Sequence, residues 1–161
     1  MNRAISRAAF LRADLLDRTV PNRPPWSVDE RAFTSCCDRC GKCLTSCPES
    51  ILVAGRGGFP EVDFGRGECT FCARCADICP TGALTAATPW TLKAAISEAC
   101  FSARGVVCRL CEERCAPRAI RFRLRPGGRA VPEVDKTACS GCGACYGVCP
   151  AGAIEMREDP Q

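Results

Sequence analysis

The chain has 161 residues, of which 17 are cysteine and none is histidine, and its formal net charge is +4. This length allows one compact domain or two small ones and excludes a large multidomain enzyme. Only 31 residues are Leu, Ile, Val or Phe, and each such side chain contributes about 1.5–3 kcal/mol when fully buried. Hydrophobic burial alone therefore cannot stabilise the fold, and groups bound to the cysteines are expected to supply much of the core.

The first 25 residues do not have the pattern of a secretory signal peptide or a membrane span. Asp or Arg interrupts every apolar stretch there, whereas a signal peptide needs an apolar run of roughly 7–15 residues. The stretch from Ser6 to Arg12 resembles a twin-arginine export signal that lacks its second arginine, and a short amphipathic helix is the alternative description. We expect residues 1–31 to form a basic arm of a cytoplasmic protein without membrane insertion. In a reducing compartment, cysteines are more often metal ligands than disulfides.

Sixteen cysteines fall into four groups with repeated spacing. The groups are Cys37-x2-Cys40-x2-Cys43-x3-Cys47-Pro48, Cys69-x2-Cys72-x2-Cys75-x3-Cys79-Pro80, Cys100-x7-Cys108-x2-Cys111-x3-Cys115 and Cys139-x2-Cys142-x2-Cys145-x3-Cys149-Pro150. The sequence Pro-Glu-Val-Asp precedes both the second and the fourth group, at residues 60–63 and 132–135. The chain is therefore a duplicated pair of motifs.

The segments between the cysteine groups predict short strands and one connecting helix. Residues 51–53 and 120–124 are strand candidates, each followed by a glycine pair and by a second strand that ends at the repeated Glu-Val-Asp. Each half is therefore predicted to contain a hairpin. Thr88-Pro89 suits a helix start, and apolar residues at helical spacing predict a helix over Trp90–Ala99. The predicted units are residues 32–88 and 89–161.

The spacing Cys-x2-Cys-x2-Cys-x3-Cys-Pro is typical of proteins that bind two 4Fe-4S clusters, in which the first three cysteines hold one cluster and the fourth holds the other. Structural zinc is the alternative, but zinc sites usually pair two Cys-x2-Cys units and do not need a third cysteine at the same spacing. The predicted fold class is α+β, a tandem duplication of a bacterial two-cluster ferredoxin-like fold. Short hairpins and short helices would surround four 4Fe-4S clusters.

If the fourth cysteine of each motif binds the cluster of the paired motif, the sixteen cysteines form four ligand sets. The first set is Cys37, Cys40, Cys43 and Cys79; the second is Cys69, Cys72, Cys75 and Cys47; the third is Cys100, Cys108, Cys111 and Cys149; the fourth is Cys139, Cys142, Cys145 and Cys115. The third group departs from the common spacing, so Cys100 is assigned as a displaced first ligand. Its enlarged loop either changes solvent access to that cluster or is a neutral insertion.

The remaining cysteine, Cys36, precedes the first ligand directly. It is interpreted as a spare thiol, with replacement of Cys37 as a ligand or a role as an exposed redox thiol as the alternatives.

Bound clusters change the charge of the protein. Sixteen thiolates and four oxidised cluster cores would bring the net charge to about −4. Basic residues still cluster in the N-terminal arm and around the second hairpin, where Arg121, Arg123 and Arg125 share one face of a strand. Such a face is either solvated or attractive to an acidic protein partner. Nucleic acid is not expected as a partner, because aromatic residues are not interleaved with the arginines.

The segment Arg23-Pro24-Pro25-Trp26, followed by Asp29-Glu30 and Phe33, precedes four cysteine groups with an expanded third. This arrangement resembles the NapF-type ferredoxins associated with periplasmic nitrate reductase, over essentially the whole chain. The resemblance implies a cytoplasmic protein that contacts the precursor of the molybdenum-containing catalytic subunit and helps to insert or reduce the 4Fe-4S cluster of that subunit.

Two alternative functions remain open. One is a plain electron carrier for other redox proteins, and the other is an electron-transfer subunit of a membrane-bound quinol-oxidising complex. The sequence contains no nucleotide-binding loop or catalytic dyad, so an independent enzyme is not expected.

Overall fold

The computed structural model describes residues 21–159 as short helices, short strands and long ligand-bearing loops. The helices are α1 (Glu30–Cys36), α2 (Lys42–Ser46), α3 (Arg74–Asp77), α4 (Leu110–Arg114) and α5 (Ala144–Gly147), and a 3-10 turn covers Arg56–Gly58. The strands are β1 (Leu52–Ala54), β2 (Pro60–Val62), β3 (Leu92–Ile96), β4 (Ile120–Leu124), β5 (Ala130–Val134) and β6 (Ile154–Glu158). The segment Ser6–Arg12, and with it most of the predicted arm, lies outside the described residues. Within residues 21–159, no helix is long and apolar enough to cross a membrane.

Both predicted hairpins are confirmed. Strand β1 pairs antiparallel with β2, with Leu52 opposite Val62, and β4 pairs antiparallel with β5, with Ile120 opposite Val134. The glycine pairs at both turns have positive φ angles, a conformation that costs glycine little because it lacks a Cβ. Alternating apolar residues and glycine turns are thus sufficient local signals for these elements.

The helix predicted over Trp90–Ala99 is wrong, because this segment contains strand β3. Strand β3 pairs antiparallel with β6, with Leu92 opposite Glu158 and Ile96 opposite Ile154. Leu92 and Ala94 are buried while Lys93 between them is half-exposed, which is the two-residue period of a strand. The apolar residues of this segment fit both the helical and the strand period. Pairing with strand β6, almost 60 residues further along the chain, selects the strand.

The residues before the first unit pair with the last residues of that unit. Ser27 bridges Leu84 in antiparallel fashion, and the Thr85 N–H donates to the Trp26 carbonyl at 2.8 Å. Pro24 and Pro25 are fully buried. Residues 21–31, assigned by sequence to the basic arm, therefore pack against the first unit.

The guanidinium group of Arg23 holds residues 21–31 in place. The group donates to both carboxylate oxygens of Glu30, at 2.7 and 2.8 Å, and lies 5.0 Å from the centre of the Phe33 ring and 5.4 Å from that of Phe59. Phe33 is fully buried. A paired, ring-stacked arginine thus links the start of the described chain to helix α1.

The two units pack against each other through ligand loops and aromatic side chains. The Cys69 N–H donates to the Cys142 carbonyl at 2.8 Å, and the rings of Phe71 and Trp90 meet edge to face with their centres 6.5 Å apart. The buried Phe64 ring lies against Gly143, where a Cβ atom would overlap it. The interface therefore joins the second cysteine group directly to the fourth.

Candidate iron–sulfur centres

The first predicted ligand set surrounds one cavity. Cys37, Cys40, Cys43 and Cys79 all line it, although 35 residues separate Cys43 from Cys79. Burial raises the pKa of the Cys43 thiol to about 11, and the neighbouring thiol of Cys37 adds to this effect. Buried thiols that crowd together resist ionisation, so a bound cation is needed to hold them as thiolates.

The second set lines another cavity, together with Trp26 and Ile51. Its thiols are those of Cys47, Cys69, Cys72 and Cys75. Burial raises the pKa of Cys75 to about 12, with a further contribution from Cys69. The first and second motifs therefore each contribute three cysteines to one cavity and one cysteine to the other.

The third set lines a cavity in the second unit. Its members are Cys100, Cys108, Cys111 and Cys149. Cys100 is buried and reaches this cavity despite the seven residues that separate it from Cys108. Burial raises the pKa of Cys111 to about 11, followed by the effects of Cys100 and Cys149.

The fourth set is grouped around Cys145. Burial raises the pKa of this thiol to about 12, and Cys142, Cys139, Cys111 of the third set and Cys115 contribute to the increase in that order. Cys115 comes from the third motif, so the exchange of one cysteine between motifs occurs in the second unit as well.

The three regular cysteine groups share a backbone conformation that sequence reasoning missed. The residues before and after the second cysteine of each group have positive φ angles; they are Arg39 and Gly41, Phe71 and Ala73, and Gly141 and Gly143. In the second group the Phe71 N–H donates to Cys69 Sγ at 3.4 Å, whereas in the first group the Cys40 N–H donates to the Asp38 carboxylate at 3.1 Å. At the enlarged third group, by contrast, Arg109 has a φ of −131°. Only the glycines could have signalled this geometry in the sequence.

The turns after the fourth cysteines also repeat. The third residue after the cysteine has a positive φ in all four motifs, namely Ser50, Gly82, Arg118 and Gly152. In the second unit, the Ala119 N–H donates to Cys115 Sγ at 3.2 Å and the Ala153 N–H donates to Cys149 Sγ at 3.3 Å. Such bonds stabilise negative charge on a ligand sulfur. All-thiolate donors and N–H groups directed at sulfur together fit an iron–sulfur cluster.

The four sets are neighbours in the order first, second, fourth, third. Helix α2 of the first motif packs against helix α3 of the second, and helix α4 of the third motif packs against helix α5 of the fourth. The backbone bond between Cys69 and Cys142 joins the second set to the fourth. The spatial order thus differs from the order along the chain.

Cys36 lies at the end of helix α1, and its Sγ is 3.8 Å from the Phe33 carbonyl oxygen. The residues that line the first cavity include Cys37 but not Cys36.

Within residues 21–159, no three His, Cys, Asp or Glu side chains form a site for a single metal ion.

Comparisons with known proteins give two domain matches and several relatives. A 4Fe-4S dicluster domain matches residues 36–83, and a 4Fe-4S binding domain matches residues 132–155. The chain is 42% identical over 134 residues to the ferredoxin-type protein NapF of Escherichia coli (strain K12), which covers 82% of each chain. It is 48% identical over 138 residues to NapF of Haemophilus influenzae, covering 84% of this chain and 78% of the relative. Identity to the methylamine utilization ferredoxin-type protein MauM of Methylobacillus flagellatus is 31% over 178 residues, covering 98% of this chain and 76% of the relative.

Proposed function

Because the chain belongs to the NapF family of ferredoxin-type iron–sulfur proteins, we propose that it holds four 4Fe-4S clusters and uses them in the cytoplasmic maturation of the molybdenum catalytic subunit of periplasmic nitrate reductase. The observation that carries this proposal is the exchange of one cysteine between paired motifs. It brings Cys79 to the first cavity, Cys47 to the second and Cys149 to the third. This arrangement is the one that two-cluster ferredoxin motifs require.

The chain's own residues would bind each cluster and shape its surroundings. A bound 4Fe-4S cluster supplies one-electron transfer. The four cysteines of each set hold it, and backbone N–H groups such as that of Ala119 lower the negative charge at the ligand sulfur. At the second cavity, Trp26 and Ile51 form an apolar wall beside the buried Cys75, whereas Cys72 of the same set is exposed.

The order of the sets supports a continuous electron path. Helix α2 of the first motif packs against α3 of the second, helix α4 of the third packs against α5 of the fourth, and the second and fourth sets are joined at the unit interface by Cys69 and Cys142. Electrons that enter at one end can therefore leave at the other. The same path would serve reduction of a nascent cluster in a partner or simple electron carriage, so electron carriage is the second candidate function.

Gene deletion separates the two functions. If the protein acts in maturation, the exported nitrate reductase of the deletion strain will have less bound iron and lower activity even when a reduced dye donates electrons directly. If dye-linked activity stays complete and only quinol-linked activity falls, electron carriage replaces maturation. Expression of the intact gene from a plasmid is the control, because it must restore the lost activity.

A further inference from the structure

The enlarged loop of the third motif exposes apolar side chains that no described element covers. Val107 is 92% exposed and Val106 is 57% exposed, and Phe101 and Leu110 are also exposed. Phe101 and Leu110 additionally line the cavity of the third cysteine set. The exposed apolar surface and the third candidate cluster therefore share the same wall.

A cationic groove continues this surface. Its volume is about 490 Å³, and it is lined by Glu112, Arg118, Ile120, Arg121, Phe122 and Arg123. Phe122 lines both the groove and the third cavity, and the Arg109 guanidinium lies 5.3 Å from the centre of its ring. The groove therefore ends directly beside the third set.

The charges around the groove favour an anionic ligand. Eight arginines and two glutamates occur between residues 100 and 129. Glu112 pairs with Arg109 at 2.9 Å, and Glu133 on strand β5 pairs with Arg123 and Arg125. Arg118 forms no salt bridge within the part of the chain that the structure describes. Even a bound cluster of about −2 charge would leave this region positive.

We propose that residues 101–110 and the arginine groove form one docking surface for a redox partner protein that presents carboxylates around an apolar centre. This inference rests on the proposed function, in which the partner is the precursor of the nitrate reductase catalytic subunit. Exposed valines would pack against the apolar centre, and the arginines would steer and orient the carboxylates. A nucleic acid would use the arginines but would leave the valines exposed to water.

The proposed docking surface lies beside the third cysteine set, where a partner could exchange electrons with a bound cluster. Helix α4 of the third motif packs against helix α5 of the fourth, so a cluster on the third set would exchange electrons with the fourth set or with a partner outside the protein. A partner seated on the enlarged loop would contact the cavity wall formed by Phe101 and Leu110. The surface would thus place the partner's redox group beside one end of the path.

Charge reversal in matched pairs tests the docking surface. Arg121→Glu/Arg123→Glu reverses two groove charges, and Arg56→Glu/Arg66→Glu makes the same net change at exposed positions of the first unit. Purified precursor with its export signal is immobilised, and binding of each holoprotein is measured at low and high salt. We expect at least tenfold weaker binding for the groove variant at low salt and less than twofold for the control. Val107→Asp should weaken binding as strongly as the groove variant, with unchanged iron content.

The outcomes separate this inference from the proposed function. Equal binding of the wild type and the groove variant would overturn the docking surface and leave the proposed partner in place. Failure of the wild type to bind the precursor would contradict the proposed partner and this docking assignment together. Binding to phosphatidylglycerol vesicles instead of the precursor would assign the surface to a membrane and would also overturn the inference.

Discussion

Substitution of Gly143 by alanine tests the contact between the two units. Gly143 follows Cys142 and has a φ of +81°, and an added Cβ would overlap the buried Phe64 ring. The left-handed conformation costs alanine about 1–2 kcal/mol, and overpacking a well-filled site costs about 1–3 kcal/mol more. We therefore expect Gly143→Ala to destabilise the holoprotein by about 2–5 kcal/mol.

Gly41 provides a matched control at the same position of the first motif. Its φ is +73°, and an added Cβ would make only an ordinary contact with Leu44 at 3.9 Å. The second motif already has alanine here, since Ala73 has a φ of +61°. Gly41→Ala should therefore cost only about 1–2 kcal/mol, the conformational part of the effect.

The assay is the apparent unfolding midpoint under anaerobic conditions at one fixed scan rate. Proteins with tightly bound cofactors often unfold irreversibly, so midpoints are compared between variants rather than converted to absolute stabilities. One kcal/mol corresponds to about 2–4 °C at this chain length, so Gly143→Ala should lower the midpoint by about 4–20 °C. Equal shifts for Gly143→Ala and Gly41→Ala would refute the packing argument.

Three further predictions concern ligands, metal and the N-terminal segment. Cys37→Ser should remove about four iron atoms per chain whereas Cys36→Ser should remove none, because Cys37 lines the first cavity and Cys36 does not. The reverse result, read by iron analysis, would make Cys36 the ligand. Anaerobic chelation of iron should abolish the near-ultraviolet circular dichroism, because the aliphatic core is too small to maintain the fold without bound metal. Without iron, buried thiols such as Cys75, whose pKa burial raises to about 12, would no longer be held together as ligands. An unchanged spectrum would argue against metal-dependent folding. Arg23→Lys should lower the anaerobic midpoint by an amount equivalent to about 1–3 kcal/mol, because lysine cannot make the two bonds to Glu30. Arg31→Lys, at an exposed position of helix α1, should leave the midpoint unchanged. Equal midpoints for the two variants would show that the paired bonds of Arg23 do not stabilise the fold.

The sequence was most informative where the signal is local. The hairpins at residues 52–62 and 120–134 follow from apolar strands, glycine turns and the repeated Glu-Val-Asp. The resemblance to NapF-type ferredoxins, carried by the cysteine spacing and the Arg-Pro-Pro-Trp segment, is confirmed by relatives that are 42–48% identical.

Long-range packing decided the features that sequence reasoning missed. The segment Leu92–Ile96 has apolar residues that fit a helix or a strand, and its pairing with Ile154–Glu158 selects the strand. The contact between Cys69 and Cys142 joins loops more than 70 residues apart, so the spatial order of the four sets could not be read from spacing. Left-handed Phe71 and Ala73 carry no glycine signal at all.

Analysis of iron and acid-labile sulfide in the anaerobically reconstituted protein tests the central claim, four clusters on four crossed cysteine sets. The account predicts about 16 iron and 16 sulfide per chain. It also predicts that Cys115→Ser removes the signal of one cluster, the fourth, while Cys36→Ser leaves all four. About eight iron per wild-type chain, or zinc near four per chain with no sulfide, would contradict the account.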